Sequence, residues 1–146
     1  MSDQLETEVQ RWLSFAEADL VEVRLNLAHG GRAHIACFHA QQAAEKALKA
    51  LLLGCGCNVP RTHDLDQIRD ELPTGPAAKE RFPRLGALTV WAIASRYPGE
   101  WPEATREDAE SARDLAQRVF SAVLRDLAAK GYGSLPEISS SENGAS

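Results

Sequence analysis

The side chains best suited to chemistry fall in three places. In RYPGEWPEA, Arg96 precedes Tyr97 and the Pro98-Gly99 turn, and Trp101 follows. A guanidinium offers a fork of donors matched to phosphate or carboxylate oxygens, and the aromatic rings offer faces on which a base can stack. The plainer alternative has Arg96 bonding carbonyls at a helix end or pairing with Glu100, Glu103 or Glu107, with Tyr97 and Trp101 covering the end of a bundle or an interface. The second place is His63 with Asp64 and Asp66, since imidazole and carboxylates can share a metal or a proton. The plainer reading, and the preferred one, has Asp64 capping a helix that begins at Leu65, with His63 bonding that turn. The third is the polar stripe His39, Gln42, Lys46 and Lys49, in which Glu45 is spaced to pair with Lys49 across one helical turn.

Other chemistries lack their signatures. His29, His34 and His39 recur at steps of five, about 140 degrees around a helix, so they do not share one face as metal ligands would. Cys37 sits in an apolar helical run and reads as packing; Cys55 and Cys57 form a CxC with no second pair to complete a tetrahedral site, so no metal and no cofactor is expected. There is no phosphate-binding P-loop, no GxGxxG and no nucleophile elbow.

The elements that must position these residues are helical. Leu5, Val9, Trp12, Leu13, Ala16, Leu20, Val23 and Leu27 recur at steps of three and four, defining one helix that ends at His29-Gly30-Gly31. A second spans about Ala33 to Leu53, with Ala40, Ala44, Ala47, Leu48, Leu51 and Leu52 as a broad inward stripe. The glycines and Pro60 of GCGCNVPRTHDL make a loop leading to a short helix over Leu65 to Leu72. Another long helix is expected over about Ala77 to Ser95, bent or delayed at Pro83. Thr105 and Asp108 have the spacing of a reciprocal cap for a last helix whose inward surface is Ala109, Ala112, Leu115, Ala116, Val119, Val123 and Leu127. The expected architecture is all-α: an antiparallel bundle of four long helices with one short additional helix, occupying residues 1–130, followed by a flexible Gly/Ser-rich tail over residues 131–146.

Composition agrees with one globular domain, at 44% hydrophobic and 25% charged residues. No apolar run is long enough to span a membrane, and the acidic MSDQLETEVQRW has no apolar core for a secretory signal, so a cytoplasmic location is expected. A net charge of −5 opposes nonspecific nucleic-acid binding by the whole surface but leaves room for a local basic patch.

Taken in order, WLSFAEADL, AQQAAEKALKALL, RTHDL and LTVWAIASRYPGEWPEAT resemble the HEPN family over about residues 9 to 128. The resemblance implies a compact helical bundle, commonly homodimeric, with many bacterial members encoded beside a minimal nucleotidyltransferase. Some members are metal-independent RNA endonucleases that use an arginine followed after four to six residues by histidine. The matching arginine is Arg96, but positions 101 to 103 hold Trp101, Pro102 and Glu103. Where nucleotidyltransferase-regulated members carry a modified tyrosine just before that histidine, this chain has Trp101; Tyr97 is placed differently.

Metal-free RNA cleavage needs a base to take the ribose 2'-hydroxyl proton and cations to stabilise the charge growing on phosphate. Arg96 supplies only the second. The leading expectation is therefore a HEPN-like non-catalytic interaction or nucleotide-binding component, paired with a minimal nucleotidyltransferase in a toxin-antitoxin-like system. Arg96, Tyr97, Trp101, Lys46 and Lys49 are its candidate contacts to ligand or partner. One alternative is an endoribonuclease that uses Arg96 with a displaced histidine, His63 or His39, on RNA; another is a homodimeric scaffold without nucleotide binding. If Arg96 makes a desolvated charged contact, Arg96→Ala is expected to weaken binding of the nucleotide or partner by about 2 to 5 kcal/mol, roughly 30-fold or more, with helical content unchanged. Calorimetry reads the loss, and unchanged affinity would remove Arg96 from recognition.

Overall fold

The computed structural model describes residues 2–94, 97–99, 101–133 and 135–136, and among them every regular element is helical. Three long helices carry the fold: α1 (Asp3–His29), α2 (Ala33–Gly54) and, further along the chain, α7 (Arg106–Ala129). Gly30 closes α1 in the left-handed conformation at φ 68°, which lets the chain reverse within three residues and makes α1 and α2 an antiparallel hairpin. Two hydrogen bonds orient α7. Arg106 at its start donates to the Leu27 carbonyl near the end of α1 (3.1 Å), and Gln10 near the start of α1 donates to the Gly133 carbonyl just beyond α7 (2.7 Å). α7 is therefore antiparallel to α1 and runs in the same direction as α2.

Every member of the expected α2 stripe, Ala40, Ala44, Ala47, Leu48, Leu51 and Leu52, is fully buried. From α1, Val9, Leu13, Ala16, Leu20, Val23 and Leu27 face the same core, and from α7 come Ala109, Ala112, Ala116, Val119, Val123 and Leu127. The alanines let neighbouring backbones approach α2 closely. The same logic reaches its limit at Gly54, where a Cβ would stand 2.5 Å from the Leu127 side chain. The expected cap of α7 is present: Asp108 N–H donates to Thr105 Oγ1 (3.1 Å) and Thr105 N–H to Asp108 Oδ2 (2.9 Å). Asp64 caps α3 (Leu65–Asp70) by accepting from the Asp66 and Gln67 amides.

The all-α expectation holds, but the segment between α3 and α7 differs in detail. Instead of one helix over Ala77 to Ser95, the described residues form three four-residue helices: α4 (Ala77–Glu80), α5 (Gly86–Thr89) and α6 (Trp91–Ala94). Pro83 has no N–H to donate, and side chains satisfy backbone groups that a continuous helix would have paired. Arg69 donates to the Phe82 carbonyl (2.6 Å) and Asp66 accepts the Leu85 amide (2.7 Å); separately, Asp126 of α7 accepts the Ala77 and Ala78 amides (2.9 Å each), which open α4 and have no partner within a helix. This segment is consequently strapped to α3 and α7 by side chains.

Packing against the core continues past Lys130: Tyr132 is buried and its hydroxyl donates to the Gly54 carbonyl (3.3 Å), while Leu135 packs against the core. Residues 137–146, most of the expected tail, lie outside the described residues.

Leu48 is fully buried within the common core of the helices, which makes it a probe of the packing. Leu48→Ala should lower unfolding stability by about 2 to 5 kcal/mol, a large share of the roughly 5 to 15 kcal/mol typical of a domain. A denaturant titration showing a loss below about 0.5 kcal/mol would refute that packing role.

Candidate functional site

The short turn between α1 and α2 is set by Asn26, whose side-chain amide donates to the Arg32 carbonyl (3.1 Å). The Asn26 side chain passes so close to Gly31 that a Cβ there would lie 2.6 Å from its amide nitrogen. This arrangement fixes Arg32, the residue that opens α2, and His34 in its first turn. On the other side, the Thr105–Asp108 cap fixes the start of α7. Between the two lies a cavity of about 420 Å³ lined by Arg32, His34, Trp91, Tyr97, Trp101 and Glu103 among others.

The chemical character of this cavity is mixed. Three aromatic rings supply stacking faces, Arg32 supplies a guanidinium, and His34 supplies an imidazole with ring nitrogens able to hydrogen-bond a ligand. α2 starts there without a side-chain cap, so its first amides keep donor capacity toward an anion. Tyr97 and Trp101 are 51% and 44% exposed, which makes their rings available to a ligand or partner.

Arg96 lies outside the described residues, as do Ser95 and Glu100. Tyr97 and Trp101 both line this cavity. Lys46 and Lys49 do not line this cavity. They belong to a polar seam along the flank of α2 next to α1. There Asp19 of α1, almost buried, accepts from Lys46 Nζ (2.6 Å) and lies 2.8 Å from His39 Nδ1. Further along α2, buried Glu45 lies 2.7 Å from His63 Nδ1 and accepts from Lys49 Nζ (3.2 Å) and Gln41 Nε2 (3.1 Å). The expected Glu45–Lys49 pair therefore exists, but inside the protein. His63 turns to Glu45 through its ring and does not bond the α3 turn with it.

Each histidine–carboxylate pair has the same logic. An ionised carboxylate only accepts, so Nδ1 is the donor in each pair and Nε2 is the ring nitrogen left for another contact. The lysines do two jobs: each neutralises a carboxylate and each places its ammonium 5.9 Å from an aromatic centroid, Lys46 over Phe15 and Lys49 over Trp12. Those rings line a further cavity of about 440 Å³ with Glu8, Arg11, Leu53 and Val59. Like the cavity at Arg32, it brings together one carboxylate, one guanidinium and mostly apolar walls, but it has no imidazole and two aromatic rings where the other has three.

Thiol chemistry has little support. Burial, reinforced by Asp108, pushes the Cys37 thiol up to about 12, and burial likewise raises that of Cys55, so both are protonated near neutral pH and neither is the thiolate a nucleophile needs. All three cysteines are unpaired, and among the described residues no group of three or more His, Cys, Asp or Glu side chains is arranged to hold a metal.

Sequence reasoning passed over Arg32, Asp19 and Gln41, and weighed His34 only as a metal ligand. Arg32 was legible only as the residue just after a helix-breaking Gly-Gly. Asp19 carried a stronger signal, because it falls on the register Ala16, Asp19, Val23 of the buried face.

Comparison with known proteins places this geometry in a family. The chain is similar to a crystal structure of TT1696 from Thermus thermophilus, with 33% identity and a TM-score of 0.71 over 82% of this chain and 98% of that one. It is similar to ST0689, described as an archaeal HEPN homologue, with 32% identity and a TM-score of 0.65 over the same shares of the two chains. No curated protein sequence matches it. The HEPN domain model matches residues 9–127, from the first turns of α1 to the last turn of α7, and the chain therefore belongs to the HEPN domain family.

Proposed function

We propose that this HEPN protein is a non-catalytic nucleotide-binding or interaction component that works with a minimal nucleotidyltransferase in a toxin-antitoxin-like pair. The observation that carries the reading is the cavity combining Trp91, Tyr97 and Trp101 with Arg32 and His34. A base can stack on the rings while phosphate oxygens accept from Arg32 and from the first amides of α2. Arg96, adjacent in sequence to Tyr97, is the candidate second cation. The presence of Trp101, Pro102 and Glu103 where the nuclease motif has histidine supports binding without hydrolysis: it adds a stacking surface where a general base would stand.

The endoribonuclease reading is favoured by one observation, the presence of His34 on the wall of the cavity that Tyr97 and Trp101 line. An imidazole there is better situated for a displaced base than His39 or His63, which pair with Asp19 and Glu45 along the α2 flank.

Self-association is part of the proposal. HEPN domains commonly dimerise. Here Ile35 and Ile93, both substantially exposed, neighbour cavity residues in sequence and join Tyr97 and Trp101 as uncovered apolar groups. Aromatic and aliphatic anchors of this kind suit the centre of an interface.

Calorimetry with AMP and ATP tests the nucleotide site. Trp101→Ala should weaken binding by about 1 to 3 kcal/mol, roughly 5- to 150-fold, without changing the circular dichroism spectrum. Absence of nucleotide binding, or equal affinity in the variant, would leave only the protein-interaction reading. RNA cleavage that persists in chelator and disappears in both Arg96→Ala and His34→Ala would establish the endoribonuclease instead. Light scattering at micromolar concentration should give about twice the chain mass; a monomer independent of concentration would sink the homodimer.

A further inference from the structure

The structure holds a second concentration of positive charge that shares no residue with the cavity above. Arg118 and Arg125 lie seven residues apart on α7, so they project from the same face two turns apart. Arg81, in the strap after α4, joins them, and the three guanidinium-bearing residues line a cavity of about 390 Å³ with Phe82 and Ser121.

Two features distinguish this cluster from a solvated basic surface. First, it lacks neutralising acids. The carboxylate next in sequence to Arg125, Asp126, is engaged by the Ala77 and Ala78 amides, and the Asp114 side chain is taken by Arg113 (2.9 Å). Arg118 makes only a long bond from Nε to the Asp114 backbone carbonyl (3.4 Å), and among the described residues none of the three arginines has a carboxylate within ion-pair distance. This is unusual in a chain with net charge −5. Second, the cluster is mounted rigidly. The Phe82 carbonyl is held by Arg69, which Asp66 and Asp70 grip in turn, and the Leu85 amide is held by Asp66. Arg81 therefore leaves a strap fixed on both sides, while Arg118 and Arg125 leave a helix. Like charges held together on a fixed frame repel one another until an anion arrives, so bound anion gains both Coulomb energy and forked hydrogen bonds.

From this geometry we infer that the Arg81, Arg118 and Arg125 cavity is a phosphate-binding site separate from the nucleotide cavity. Phe82 is buried and offers no open stacking face, so the site reads phosphate groups and not bases. Two sources carry that chemistry, a free polyphosphate chain and the backbone of single-stranded RNA, and one experiment separates them.

Binding of tripolyphosphate and of a fluorescent oligouridine to the full chain is measured at low salt, for wild type, Arg118→Gln/Arg125→Gln, and Arg113→Ala as a control arginine on the same helix. Removing two guanidinium groups that donate charge-assisted hydrogen bonds should weaken binding at least about tenfold in the double variant, while the control keeps wild-type affinity. The salt dependence of oligouridine binding should also flatten, by about 0.7 in the log–log slope for every phosphate that is no longer neutralised. Tripolyphosphate binding identifies the free chain as a sufficient ligand; binding of oligouridine alone identifies the backbone. If neither probe binds, or if the double variant binds as wild type does while circular dichroism shows it folded, the site is refuted. Arg81→Gln, outside the long helices, supplies an independent variant should the double substitution unfold α7, and wild-type affinity in it would equally refute the site. Because Trp101 is no part of this cavity, Trp101→Ala should leave tripolyphosphate binding intact.

Discussion

The constraint on which this structure depends is the nearly complete burial of α2. A helix enclosed by α1 and α7, and touched also by α3, α5 and α6, has little solvent-facing side, so its polar residues must be satisfied inside the protein. Glu45 and Lys49 are both buried and meet across one turn, with Gln41 and His63 completing the coordination of the carboxylate. An uncompensated buried charge costs several kcal/mol, about 3 to 5 when one partner of such a pair is removed, so these four side chains must be assembled together or not at all. Asp19 imposes the same condition between α1 and α2, since it can enter the interface only with Lys46 and His39 beside it.

These polar links also give the bundle its register. Alanine and leucine stripes attract any apolar face and tolerate sliding. A buried carboxylate that must meet one lysine and one histidine does not. Asp19 fixes how α1 lies along α2, His63 ties the loop before α3 to the middle of α2, and the alanines allow the close spacing that brings those groups within hydrogen-bond distance. With that frame set, the start of α2 stands opposite the capped start of α7. Tyr97 and Trp101 line one cavity there with Arg32 and His34, although the two pairs come from stretches more than sixty residues apart in the chain.

The same economy governs the middle of the chain. Asp66 and Arg69 hold the Leu85 amide and the Phe82 carbonyl that the break at Pro83 leaves without helical partners, and Asp126 caps the first amides of α4. One consequence is mechanical, a strap of short helices fixed to α3 and α7. Another is electrostatic: committing Asp126 to amides leaves Arg125 without its nearest acid, and a local excess of positive charge appears on an acidic protein.

Much of this was legible in the residues themselves. Periodicity at three and four residues determined the three long helices and their inward faces, because burying an apolar stripe is a requirement local to each helix. Gly30, Asp64 and the Thr105–Asp108 pair determined where helices end or begin, because caps are satisfied by neighbours in sequence. The motif order, with Trp101, Pro102 and Glu103 in place of a histidine, determined the family and the departure from its nuclease pattern. What tertiary structure alone decided are the relations between distant residues. Whether Glu45 and Lys49 form a surface pair or a buried one depends on what covers α2. The partners of His39 and His63 depend on the offset of α1 and on the path of the loop. The division of the expected Ala77 to Ser95 helix at Pro83 depends on the donor and acceptor supplied by α3. The association of Arg32 and His34 with the aromatic segment depends on helix packing. In each case the deciding energy is a hydrogen bond or a desolvation between groups far apart in the chain, and spacing along one helix carries no information about it.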